Sequence, residues 1–522
     1  MGIPSYFSQI VKSCPAMVKN LRQHKTTFNH LYMDCNSIIY DAVRKIDTNH
    51  AGFEDKLISE VIVNINNHIE LIKPSNTVFI AFDGVAPFAK MNQQRTRRYK
   101  SSFMSNLDFI EPVKTKEWST SNITPGTVFM NNLSARLSRA FSNSKSSYSV
   151  IFSGSDEIGE GEHKIFKHIR EISNTNQNVI VYGLDSDLIM LSIFHSHLFK
   201  DIYVFREAPE FIKSAVTVSD TNANEIYLLD ITLLQDSILN EIDCKFKDKQ
   251  RVFDYVFMCF LLGNDFLPHF PALNIRTHGI TTLLQTYLKI MGNYEGRYLV
   301  SKDNKIQWRN FGIFIKELAK HETTFITNEY TSRNKFDKRH WKTETKADRE
   351  QILLNMPTIH RVEEKYICPD VAHWEERYYL SLFEMERNTE NKRKICTNYL
   401  EAIEWVFLYY SGNCPDWRWA YEYHYPPLLT DLCNHIPDFD TKFIKQNRKP
   451  FPANVQLAYV LPPAQYDLLS ENMRLYITKK HPELLNSTVE FQWAFCRYFW
   501  EAHLKSSHIN LQILETWEKD NI

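Results

Sequence analysis

An α/β fold built on a parallel sheet is predicted by three features of the chain. Short β-branched apolar runs alternate with amphipathic helical patterns, acids recur where those runs end, and the scarce glycines gather around the same acids. The first unit is Leu31-Tyr32-Met33-Asp34, an apolar strand closed by an aspartate and followed by a helical pattern from Asn36 to Val43. Val78 to Phe82 repeats it and runs into Asp83-Gly84. Ser149 to Phe152 is a third strand; Glu160 and Glu162 follow it and open a helix, Glu162 to Ile172, with Ile165, Ile169 and Ile172 on its inner stripe. Val179 to Tyr182 is a buried strand, with Asp185 and Asp187 where strand gives way to helix. An apolar helix, Val252 to Leu262, then ends in Gly263-Asn264-Asp265-Phe266-Leu267-Pro268-His269.

In open α/β sheets ligands bind in the crevice outside the carboxyl ends of the strands, so acids placed there are poised for a site. A single strand-end aspartate is often a helix cap, and acids such as Glu160 and Glu162 are favoured by the helix dipole without any chemistry. Repetition weakens that simpler explanation, because several acids crowded together repel unless cations neutralise them. Asp34, Asp83, Glu160, Glu162, Asp185, Asp187 and Asp265 all stand in such positions. Half of the 14 glycines (Gly84, Gly126, Gly154, Gly159, Gly161, Gly183 and Gly263) lie beside these stretches, which indicates tight turns or close backbone approach. An all-oxygen cluster without a cysteine or histidine pair selects hard cations. Seven carboxylates exceed the charge of two divalent ions, so some must act from outside the coordination sphere or through water. His269 is a possible ligand, but a lone histidine beside prolines is more often structural.

The formal net charge is −1, so a polyanionic partner would need locally concentrated charge. One concentration exists: no acid occurs from Gly84 to Leu107, a span holding Lys90, Arg95, Arg97, Arg98 and Lys100. As a helix, this stretch puts Lys90, Gln94, Arg97 and Arg98 on one face at i, i+4, i+7 and i+8. Alone, such a face is usually solvated; directly downstream of Asp83 it suits a phosphate pocket.

The remaining composition excludes several classes. With 43% apolar and 13% aromatic residues the chain is globular, and its length suits two or three domains. No apolar run is long enough for a membrane span, and MGIPSYFSQI has neither the basic nor the apolar region of a secretory signal. Nine cysteines without a CxxC pair indicate neither a disulfide framework nor a zinc site, and suggest a reducing compartment. Asn122 to Thr127 is a turn entering a helix. Beyond about Leu267 the texture changes. Tyr330 to Gln351 is polar and charged, and is expected to be a surface loop or linker. Tyr399 to Tyr410 is an aromatic-rich helix, and Cys414 to Pro427 is dense in rings that could form a core or a stacking surface for bases. Phe491 to Trp517 is expected to be mostly helical.

Together these stretches resemble the XRN family of 5'-to-3' exoribonucleases, within the wider FEN/PIN-like nuclease superfamily. The resemblance rests on MGIPSYF, FDGVAPFAKMNQQRTRR, NITPGT, GEGEHKI, YGLDSDLIML, GNDFLPH, YYSGNCPDWRWAYEYHYPP and QLAYVLPPAQYDLL, in order along the whole chain. It implies a parallel-sheet nuclease domain over 1–290, a polar connecting segment over 291–351 and a helical, aromatic-rich region over 352–522 that completes the substrate channel. It implies that Asp34, Asp83, Glu160, Glu162, Asp185, Asp187 and Asp265 are catalytic and bind two divalent cations, Mg²⁺ or Mn²⁺. Lys90, Gln94, Arg97 and Arg98 would hold the 5'-monophosphate of single-stranded RNA. In the family the first base stacks between a histidine and a tryptophan; here Tyr40 stands at the histidine's place, Trp419 is the expected partner and Trp417 the alternative. A processive enzyme of compact, monomeric form in a cytoplasmic setting is expected, with RNA-decay partners that the residues do not identify. The competing classes are a flap endonuclease or 5' DNA exonuclease, which would share the acids, and a non-catalytic RNA-binding protein.

Overall fold

The structure is a computed structural model and describes residues 6–21, 26–48, 52–105, 107, 118–142, 147–183, 185–207, 226–485, 488–505 and 509–520. Part of the opening MGIPSYF therefore lies outside the described residues. Seven strands form the main sheet: β1 (Val18–Asn20), β2 (His30–Asp34), β3 (Thr77–Ala81), β4 (Ser149–Ser153), β5 (Asn174–Tyr182), β6 (Phe199–Glu207) and β7 (Ile226–Asp230). Their order is β1-β7-β6-β5-β2-β3-β4. The run from β4 to β6 is parallel, as the alternation of strand and helix predicts, and β7 and β1 add an antiparallel edge.

Successive side chains point to opposite faces, and both faces are covered. Leu31, Met33, Val78, Ile80, Ile180 and Tyr182 pack under α2 (Asn36–Lys45), α3 (Phe53–Ile72) and α5 (Val128–Ser142), while α1 (Tyr6–Ser13) lies on the opposite face. On that face Tyr32, Phe79, Val179 and Val181 meet α6 (Gly161–Ile172) and α7 (Ser186–His195). The second layer does not stop at the sheet. Its core continues through Phe257 into Trp405, Tyr409 and Tyr410 of the 23-residue helix Thr389–Ser411, so the helical half shares the nuclease core.

Register decides where the site forms. Asp34 pairs with Ala81, Ala81 with Ser153, and Met33 with Tyr182, so β2, β3, β4 and β5 finish level at one sheet edge. The loops leaving β3 and preceding α6 are then joined: Gly84 N–H donates to Gly159 O at 2.9 Å and Gly159 N–H to Val85 O at 2.9 Å. Lys164 on α6 ties the same ends together, donating from Nζ to the carbonyls of Phe82 (2.8 Å) and Gly154 (2.7 Å).

Two expectations are corrected. Tyr330 to Gln351 is not an irregular linker: helices Glu322–Asn334 and Lys346–Leu354 take up both ends, a 3₁₀ turn covers Lys335–Lys338, and 339–345 alone lack regular structure. Ile326, Tyr330 and the Arg333–Glu364 ion pair bury one side of the first helix, and a Thr345/Asp348 capping box starts the second. Phe491 to Trp517 is not mostly helical either. Phe491–Gln492 pairs antiparallel with His503–Leu504, and the helix Leu511–Lys519 begins only at the Asn510 cap. Its closely spaced rings suit a half-buried pleated surface as well as a helix, so periodicity could not separate the two.

At Gly84 a Cβ would lie 1.7 Å from the Glu157 carbonyl oxygen, which is backbone and cannot swing aside. Gly84→Ala should therefore cost about 1–3 kcal/mol, measured as a lower urea midpoint with an unchanged m-value.

Candidate active site

Each acid reaches the sheet edge by a different local device. Asp34 is the last residue of β2, and Asp83 follows β3 by two positions. Glu160 and Asp185 stand at the first turns of α6 and α7, yet neither carboxylate caps its helix. Asp230, also a strand-end aspartate, shows the contrast: it does cap, accepting from Leu233 N–H at 3.0 Å, and it pairs with Lys19 at 2.6 Å. The capping explanation thus suits Asp230 and fails for Glu160 and Asp185.

Asp83 is held from two sides, accepting from Asn36 Nδ2 (2.6 Å) and Gly161 N–H (2.7 Å). Glu160 accepts from Tyr409 Oη at 2.5 Å, and Asp187 accepts from Tyr410 Oη at 2.7 Å. Both tyrosines are buried at the carboxyl end of helix Thr389–Ser411. The spacing of the acids gave no sign of these partners; the consecutive pair of tyrosines beside the ring-rich run was the one available hint. His163 is a further addition. Its ring lies 3.5 Å from that of Tyr409, and one ligand atom each from Glu160, Glu162 and His163 fall within 4.8 Å of one another.

Mutual repulsion joins the remaining acids to this group. Burial, then Asp83, Asp185 and Glu160, push the Asp34 carboxyl well above its ordinary range. Burial and then Asp187 do the same to Glu162. Burial and the neighbouring Asp265 raise Asp187 to about 6. Asp265 goes the other way: burial opposes its charge, but the surrounding positive charges, Lys90 among them, outweigh it and hold the carboxyl below the usual range. Burial and the Lys90 charge keep His163 neutral.

Lys90 lies inside this cluster. From α4 (Phe88–Ser105) its Nζ reaches Glu160 at 2.6 Å and Asp265 at 2.9 Å, a position helical periodicity did not reveal. Further along α4, Gln94 and Arg98 are half-buried and Arg97 is exposed. Gln94 Oε1 and Arg98 Nε are buried with no hydrogen-bond partner, and burial lowers the Arg98 guanidinium to about 10. Unpaired polar atoms of this kind cost free energy unless a ligand completes them. Arg95, by contrast, is buried between the Tyr99 and Tyr459 rings and is structural.

The aromatic expectations separate by burial. Tyr40 is 36% exposed and close enough to Arg98 to interact electrostatically. Trp419, the expected stacking residue, is 8% exposed and packs on Trp405 at 5.6 Å, which makes it part of the core. Trp417 is half-buried, its carbonyl accepts from Phe88 N–H at 2.8 Å, and its ring lies next to Gly159. Of these two tryptophans, Trp417 is the less buried. Burial lowers His269 to about 4, and it belongs to no metal-ligand group among the described residues.

The acid cluster fits a hard cation. Asp34 Oδ1 is buried without a partner, and a Cβ at Gly161 would come within 2.5 Å of it, so glycine is what leaves that oxygen room. A mostly parallel α/β sheet collects carboxylates at one end of its strands, and a helical region packs over them. The chain belongs to the XRN family. A family model described as "XRN 5'-3' exonuclease N-terminus" matches residues 1–208, and one described as "Xrn1 helical domain" matches 245–373 and 370–488. "5'-3' exoribonuclease 1" of Homo sapiens is 29% identical over 90% of this chain and 31% of its own length. The Saccharomyces cerevisiae protein of that name is 25% identical over 91% of this chain and 40% of its own length. "5'-3' exoribonuclease 2" of Gallus gallus is 24% identical over 93% and 66%. The chain thus spans less than two thirds of each of these relatives. Among the described residues, no helix is long and apolar enough to cross a membrane.

Metal ligands must be deprotonated, so protons compete for the site. With Asp187 titrating near 6, Mn²⁺ affinity measured by calorimetry should hold above neutrality and weaken as pH falls through about 6. The expected slope is about tenfold per pH unit for each proton displaced.

Proposed function

We propose that this chain is a metal-dependent 5'-to-3' exoribonuclease. It would degrade single-stranded RNA bearing a 5'-monophosphate to 5'-mononucleotides, using two Mg²⁺ or Mn²⁺ ions. The observation that carries this reading is one pocket in which seven carboxylates converge beside a helix face of phosphate-type donors. Asp34, Asp83, Glu160, Glu162, Asp185, Asp187 and Asp265 would hold the ions, with His163 adjacent to Glu160 and Glu162. Bound there, paired divalent ions supply Lewis-acid stabilisation and lower the pKa of water.

The protein's own residues account for direction. The Gln94 amide N–H and the Arg97 and Arg98 guanidiniums would donate to a terminal phosphate, Arg98 Nε being buried without a partner, and Lys90 on the same helix reaches the acids. Positioning the first nucleotide this way sets the next phosphodiester over the carboxylates. Water adds to that phosphorus and the bond to the 3'-oxygen of the first nucleotide breaks. A 5'-mononucleotide leaves, and the shortened chain again carries a 5'-phosphate. The product end can refill the same pocket, which favours processivity. Tyr40 and Trp417 are the rings we assign to stacking on the first base. The segment 1–290 would supply the chemistry and 352–522 the cover of the channel.

The test compares 5'-monophosphate, 5'-hydroxyl and 5'-triphosphate RNAs with and without Mg²⁺. Degradation should be confined to the monophosphate with metal present; equal degradation of all three would contradict the pocket assignment. In the same assay, Asp185→Ala or Asp187→Ala should abolish cleavage while RNA binding stays detectable.

A further inference from the structure

Lys90 belongs to two groups at once. It lies on α4 with Gln94, Arg97 and Arg98, and its ammonium is inserted among the acids. The side chain is only 10% exposed, and Nζ stands 2.6 Å from Glu160 Oε2 and 2.9 Å from Asp265 Oδ2. Glu160 Oε1 accepts from Tyr409 Oη at 2.5 Å, so both oxygens of Glu160 are engaged. Of these two partners, Tyr409 is fixed: its ring is 1% exposed and stacks on Trp405 at 4.7 Å. Lys90 is the partner that can let go, because its charge is carried on a flexible four-carbon stem. Burial opposes that charge, but Glu160, Asp265, Glu162 and Asp187 outweigh it and hold the ammonium well above the ordinary lysine range.

An ammonium held between two carboxylates does part of the work of a divalent cation. It neutralises the same oxygens, and it repels any like charge that approaches them. The same helix offers the competing attraction, since Gln94, Arg97 and Arg98 form the donor face proposed for a terminal phosphate. We propose that Lys90 is a shared cation coupling the two halves of the site. Without substrate it occupies Glu160 and Asp265 and weakens divalent-ion binding there; a 5'-phosphate on the α4 face draws it off and restores the affinity. The proposal rests on the exoribonuclease reading and adds regulation to it, because tight metal binding is then reserved for the substrate-bound site. Such coupling is reciprocal: the factor that phosphate adds to metal affinity is the factor that metal adds to phosphate affinity. A 5'-hydroxyl end carries no charge with which to draw the ammonium away, so it leaves the metal site weak.

The test measures Mn²⁺ binding to the full chain by calorimetry, with adenosine 5'-monophosphate, with adenosine, or with neither. A blank titration removes the nucleotide's own affinity for Mn²⁺. In the wild type the monophosphate should tighten Mn²⁺ binding about 5- to 150-fold, the usual range of coupling between sites, and adenosine should leave it unchanged. Lys90→Met should bind Mn²⁺ more tightly than the wild type when no nucleotide is present, by a factor in that range, and should gain correspondingly less from the monophosphate. A merely structural role for Lys90 would do the opposite, since loosening the acid cluster weakens metal binding. Lys90→Gln, whose amide still donates to a carboxylate but carries no charge, serves if the methionine variant does not fold. Three results would overturn the proposal: no gain from the monophosphate in the wild type, a nucleotide-free affinity unchanged or lowered in the folded variant, or a wild-type gain that survives in full without Lys90, as direct contact between phosphate and Mn²⁺ would give. A wild-type chain that binds no Mn²⁺ under any of these conditions would contradict the exoribonuclease reading instead.

Discussion

Crowding buried carboxylates at one sheet edge is unfavourable, and the rest of this molecule is arranged to make it tolerable. The central compensation is the Lys90 ammonium, which bridges Glu160 and Asp265 from helix α4. Burial and their like-charged neighbours push Asp34, Glu162 and Asp187 towards the neutral form, while nearby positive charge, Lys90 included, holds Asp265 below its usual range. Because Lys90 shares its helix with Gln94, Arg97 and Arg98, one element both steadies the acids and presents the donors of the adjoining face. Acid cluster and donor face are therefore mechanically one unit.

The same constraint explains the helical half. Tyr409 and Tyr410 supply hydrogen bonds to Glu160 and Asp187 from more than two hundred residues away, and they are buried to do so. Trp405, one turn earlier, packs on Tyr409 and Trp419 and anchors that helix in the shared core. The helical region is thus part of the site's construction, which is why the sheet's core runs into it without a break.

What was legible in the sequence follows the range of the interactions involved. Short β-branched apolar runs such as Val179 to Tyr182 reported strands, and the acid after each run reported the sheet edge, since both are local properties. The α/β class and the ordered motifs of the XRN family were accessible for that reason. The burial of Trp419 against Trp405 was beyond reach, because it depends on a partner in another element. Periodicity put Lys90 on the right helix face but could not show it inserted between two acids. The polar composition of 330–351 hid two helices, because one buried ion pair, a capping box and a few apolar neighbours secure them.

A crystal soaked in Mn²⁺ and measured for anomalous scattering examines the central claim most directly. Two peaks should appear at the carboxyl edge of β2 and β5, bounded by Asp34, Glu160 and Asp187. An edge without manganese, in crystals where the ion binds elsewhere, would show that these acids are gathered for a purpose other than holding metal.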